Sequence, residues 1–66
     1  MSDPVLRVLC ALSYLNPRDR ECWYDKRVLG IGERAQARRL GVSASRVWRR
    51  VNRADRRLDQ LLGESV

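Results

Sequence analysis

Histidine is absent from this 66-residue chain, and cysteine occurs only at Cys10 and Cys22. Two thiols without an imidazole cannot complete a conventional four-ligand zinc site, and these two do not form a Cys-x-x-Cys pair. Both lie among apolar residues. They read as reduced core thiols, with a disulfide between the first two helices as the alternative. No glycine-rich phosphate loop is present, and nothing resembles a catalytic triad or a carboxylate pair in a cleft. The chain is therefore not expected to be an enzyme, and no cofactor or metal is implied.

Long apolar runs are missing too, so no segment should span a bilayer. The opening "MSDPVLRVLCALSYL" has an apolar stretch of signal-like length. It lacks a basic leading region, carries Asp3 and Arg7, and has no cleavage-like end, so a cytoplasmic protein is expected. Period-two alternation, internal repeats and low-complexity tracts are also lacking, which argues against strands and fibrous arrays.

What is abundant is arginine. Of 14 basic residues 13 are arginine, and the net charge is +6. Residues 1–26 hold four basic and four acidic side chains and sum to zero, whereas residues 27–66 hold ten arginines against four acids. A neutral scaffold is thus joined to a cationic half, a distribution that suits nucleic acid or an anionic membrane surface. With one lysine and no lysine-rich patch, membrane binding is the weaker candidate. At 44% hydrophobic the chain has the composition of a globular protein. A domain of about 60 residues buries only roughly 60% of its unfolded surface, enough for helix packing but not for a deep cleft.

Four helices are legible, over about 3–15, 17–29, 33–40 and 44–62. Ser2 or Asp3 caps the first and Pro4 takes its first position. Its stripe of Val5, Val8, Leu9, Leu12 and Leu15 is expected to be core. Asn16, Pro17 and Asp19 start the second, with Trp23, Val28, Cys22 and Leu29 as its buried side and Gly30 as its stop. The third is short, with Gly32 as its cap and Ala35, Ala37 and Leu40 as its small and apolar positions. Gly41 ends it, and Val42 dips inward.

Ser43 caps the fourth, whose Val47, Val51, Ala54, Leu58 and Leu61 form one apolar seam with the arginines off it. This helix should be close to 27 Å long. Gly63 ends it, and residues 64–66 read as a frayed tail. The whole is an all-α, small four-helix domain with a C-terminal helix-turn-helix and a long recognition helix.

The helix-turn-helix reading rests on "ARRLGVSASRVWRRV", where each part has a physical reason. Ala37 must be small where the next helix crosses it. Gly41 supplies a backbone conformation that a side chain resists, Val42 and Val47 fix the angle between helices, and Ser43 satisfies free amides. The stretch "LNPRDRECWYDKRVLGIGERAQARRLGVSASRVWRRVNRADRRL" resembles region 4 of bacterial sigma factors and the related response-regulator and phage helix-turn-helix domains, over about residues 15–62. "RDRE", Gly30-Ile31-Gly32, "ARRLGVS", Val47, "RRVNRA" and Leu58 carry the resemblance. A narrower one is to the DNA-binding part of phage antitermination proteins of the Q type, through the frame "AR-LG-S---V---L--A".

Three positions depart from the family pattern. Gln36 stands where isoleucine is usual, and Asp25 and Arg27 stand where the second helix is usually apolar or aromatic. No segment resembles sigma region 2, so a detached DNA-reading module is expected rather than a promoter-melting factor.

The resemblance implies a double-stranded DNA partner gripped from Ser43 to Arg57. Ala44, Ser45, Arg46, Trp48, Arg49 and Asn52 would project toward the major groove, which admits an α-helix. Arg46 and Arg49 are the candidate guanine readers and Asn52 a candidate adenine or phosphate contact. Arg34, Arg38, Arg39, Arg53, Arg56 and Arg57 are candidate phosphate contacts that set register. Trp48 is divided between a DNA or partner contact and packing under the first helix. The expected role is a transcription regulator of a bacterial cell or phage-infected host, such as an antiterminator or late-gene regulator. The alternative is an interaction module that binds RNA polymerase or another regulator. A homodimer is a further candidate, with "ADRRLDQLL" either packing onto the first helix or forming a dimer seam.

Overall fold

The structure is a computed structural model and describes residues 3–63. It contains four helices, α1 (Pro4–Ser13), α2 (Pro17–Arg27), α3 (Glu33–Leu40) and α4 (Ala44–Gly63), with no strand among the described residues. Among the described residues no helix is long and apolar enough to cross a membrane. Residue 2, the alternative cap, and the tail at 64–66 lie outside the described residues.

The caps explain the helix starts. The Asp3 carboxylate accepts from the Val5 amide at 2.8 Å and the Asn16 side chain from the Arg18 amide at 2.9 Å, each just ahead of a proline. Two helices end earlier than the apolar pattern suggests. After Ser13 the amides of Tyr14 and Leu15 turn back to the Ala11 and Leu12 carbonyls at 3.1 Å, a tightened last turn. Asn16 precedes Pro17 and is excluded from helical backbone. α2 stops at Arg27, and Gly30, at φ 72°, lets the chain fold back so that the Ile31 amide reaches the Asp25 carbonyl at 2.8 Å.

α4 is the spine, packed by all three other helices. At one end Ala11, Leu12 and Leu15 meet Ala54 and Leu58, with Val8, Leu61 and Leu62 at the margin. At the other, Cys22 and Ala37 meet Val47 and Val51, with Leu40, Val42 and Ala44 beside them. Trp23 touches both clusters and donates its indole N–H to Asp55 at 2.8 Å, so it joins the two cores while satisfying its one polar atom. The α4 seam is as expected, and its C-terminal leucines pack against the cluster shared with α1, the first of the two arrangements expected for them.

Several expected core residues are not core. Val5 and Leu9 are exposed because α1 leans on the C-terminal half of α4 with only its Ala11–Leu12–Leu15 side. Val28 and Leu29 are exposed because they lie past the last turn of α2. Cys10 is exposed and Cys22 buried, and both are free thiols, so only one of the expected core thiols is in the core and no disulfide joins α1 to α2.

The three departures from the family pattern have partners. Gln36 is fully buried and donates from Nε2 to the Cys22 carbonyl at 3.2 Å and the Ile31 carbonyl at 3.0 Å. It ties α3 to the end of α2, while its Oε1 has no partner. Asp25 is buried and pairs with Arg39. Arg27 pairs with Asp55 at 2.7 Å, and this carboxylate raises the pKa of the guanidinium, chiefly by accepting its hydrogen bond.

Candidate nucleic-acid interface

α3 and α4 are joined by three residues, Gly41, Val42 and Ser43, a helix–turn–helix connection. Gly41 sits at φ 71°, ψ 31°, and its amide and that of Val42 both return to the Ala37 carbonyl. A Cβ built at Gly41 would meet nothing within 4 Å, so the left-handed backbone, not space, requires glycine. Val42 then folds inward, and the Ser43 hydroxyl accepts from the Arg46 amide at 3.1 Å, capping α4. Ala37 packs against Val47, which is fully buried, and Val51. The turn therefore fixes which side of α4 faces inward and which faces solvent.

The outward side carries Ser45, Arg46, Trp48 and Arg49, all exposed. Arg49 borders two recesses. One, of about 330 Å³, lies between α4 and the start of α2, with Arg18, Arg46 and Arg50 around it and the Arg53–Asp19 pair at its edge. The other, of about 460 Å³, lies between α4 and the start of α3, with Arg34, Ser45 and Trp48. Trp48 is 57% exposed and stands on this face; it does not pack under α1.

Some expected DNA contacts are otherwise engaged. Ala44 is half-buried against the α3–α4 core, because its position on the first turn falls on the inward side. The Asn52 amide donates to the Trp48 carbonyl at 2.8 Å, folded along its own helix. Arg53 grips Asp19 through Nε at 2.7 Å and Nη2 at 2.9 Å, and this pair, chiefly through its hydrogen bonding, raises the guanidinium pKa. Arg39 is held by Asp25. Arg34 and Arg38 are exposed on α3, and Arg56 and Arg57 on the distal half of α4, where Arg57 reaches Gln60 at 3.3 Å.

The ion pairs sort the arginines. Asp19, Asp25 and Asp55 take Arg53, Arg39 and Arg27, and Glu33 takes Lys26 at 3.1 Å. The Glu33 carboxyl is held below its ordinary pKa, first by a backbone N–H at the start of α3 and then by Lys26. Among the described residues Arg18, Arg34, Arg38, Arg46, Arg49, Arg50 and Arg56 have no carboxylate partner. Arg50 makes only a long contact, 3.9 Å, to the Cys22 sulfur. The face around the α4 N-terminal half is thus left positively charged.

Arg18 and Arg50 belong to this face and were not among the residues expected there. Arg50 is one turn beyond Arg46, a spacing that could have flagged it. Arg18 is brought in only by the crossing of α2 over α4, which no local spacing encodes. No family model, curated protein or solved structure matches the chain.

Proposed function

We propose that the chain is a sequence-specific double-stranded DNA-binding regulator of transcription, similar to sigma region 4, acting in the cytoplasm of a bacterial cell or a phage-infected host. The supporting observation is the run of exposed arginines without carboxylate partners around the first turns of α4, immediately after a glycine turn that fixes the helix. In this reading the N-terminal half of α4 lies in the major groove. Ser45 and Arg49 face base edges with Arg46 beside them, since an arginine fork matches the two acceptors of guanine. Arg18, Arg50, Arg34 and Arg38 flank the groove and hold phosphates, which sets register without reading sequence. Arg56 and Arg57, further along α4, continue the phosphate contacts.

The experiment is enrichment from a random duplex library at low and moderate salt, followed by Arg49→Ala and Arg56→Ala on the recovered site. A defined motif is expected. Arg49→Ala should cost about 1–3 kcal/mol of specific binding with little effect on random duplex, and Arg56→Ala should weaken both alike. Equal losses in the two variants would remove the base-reading role of Arg49. Binding at low salt with no enriched sequence would refute sequence-specific reading and direct attention to RNA polymerase as the partner.

A further inference from the structure

The side of α1 that turns away from α4 is apolar. Val5, Leu6 and Leu9 are 64%, 59% and 53% exposed, and their spacing places them on one side of the helix. Toward the C-terminal end of α1 that side continues into a groove of about 390 Å³ between α1 and α2, floored by Leu9 and Leu12 and walled by Tyr24. The N-terminal half of α1 is therefore a ridge and its C-terminal half one wall of a groove.

We propose that this surface binds a second copy of the same chain, with the two α1 helices antiparallel about a twofold axis. Such an axis sets the ridge of each copy over the groove of the other, so one surface supplies both halves of the contact twice. The charges agree. Arg20 and Glu21 stand on the groove rim, and among the described residues neither has a partner in its own chain. The end of α1 that would lie over this rim carries the Asp3 carboxylate and the positive pole of the helix. Arg20 thus faces the carboxylate and Glu21 the pole. The only charged side chain within α1, Arg7, points elsewhere, to the Leu62 carbonyl at 3.3 Å. Residues 1–26 sum to zero charge, so two copies meet here without bringing their arginine faces together.

A ten-residue helix is about 15 Å long, too short for the roughly 800 Å² per partner of a stable interface. The dimer is accordingly weak and forms in the high micromolar range. The inference rests on α1 and α2 alone, and loss of the DNA-binding reading would leave it standing.

Sedimentation equilibrium on the whole chain without DNA, under reducing conditions that keep the exposed Cys10 a thiol, tests it. The wild-type chain should shift from monomer to dimer between about 10 µM and 1 mM. Leu9→Glu, at an exposed site, should keep the helical circular dichroism and weaken the dimer at least about tenfold by burying a charge. Arg20→Glu should weaken it several-fold, and Val28→Glu, exposed but off this face, should leave it unchanged. A wild-type chain monomeric at 1 mM would overturn the proposal. So would a dimer indifferent to Leu9→Glu, or a monomer whose α1 face instead binds purified RNA polymerase and loses that binding in Leu9→Glu.

Discussion

Replacing Arg53 by alanine separates a structural arginine from the neighbouring ones that, among the described residues, have no carboxylate partner and that we propose contact DNA. The Asp19 side chain is 7% exposed and the Arg53 side chain 67%, so the two partners are unequal. Removing Arg53 deletes two charge-assisted hydrogen bonds, at 2.7 and 2.9 Å, and leaves a buried carboxylate behind. Losing the partner of a buried charge costs about 3–5 kcal/mol when both groups are buried. Here one partner is in solvent, and Asp19, in the first turn of α2, keeps the favourable helix dipole of roughly 0.3–1 kcal/mol. The expected loss is about 2 kcal/mol. For a domain this size that lowers Tm by roughly 8–16 °C.

Asp19→Asn retains an acceptor and frees an exposed arginine, so it should cost about 1 kcal/mol. Urea unfolding at pH 7 measures both. Arg53→Ala within about 0.5 kcal/mol of the wild type would show that the pair behaves as an ordinary surface ion pair and that the argument from Asp19 burial is wrong.

Gly41→Ala should destabilise by about 1–2 kcal/mol in thermal melts, through the left-handed backbone alone, since the space is open. Glu33 has a folded pKa below its ordinary 4.5, so its contribution is present above the unfolded value and lost as pH falls through the folded one. The stability difference between wild type and Glu33→Gln should therefore persist at pH 7 and shrink below about pH 4; a difference that instead grows with acid would reverse the sign. Arg18→Ala should leave any enriched sequence unchanged while flattening the dependence of log K on log salt by about one unit, and an altered motif would contradict the phosphate contact proposed for it.

Local physics reached far along this chain. Asp3, Asn16, Gly41 and Ser43 act through bonds to residues two to four positions away, and the two prolines through their fixed φ, so cap and turn chemistry alone located the starts of α1, α2 and α4 and the connection between α3 and α4. The α4 seam was equally legible, because Val47, Val51, Ala54 and Leu58 repeat at helical spacing and all four are buried. The clustering of arginine in residues 27–66 was plain from composition.

The tertiary structure decided which residues of each stripe were covered and which arginines remained available. Val5 and Leu9 carry the same periodic signal as Leu12, but α1 presents to α4 only the side that holds Val8, Ala11 and Leu12, so periodicity could not tell covered from uncovered. Arg39 and Arg53 look in sequence like Arg38 and Arg49. Only the crossing of α2 places Asp25 and Asp19 against them, while the same crossing carries Arg18 into the face around Arg49. Helix formation is a matter of neighbours three and four residues apart. Pairing a charge or covering an apolar side depends on residues 14 or 34 positions away, as with Arg39–Asp25 and Arg53–Asp19, and only the packed chain brings those together.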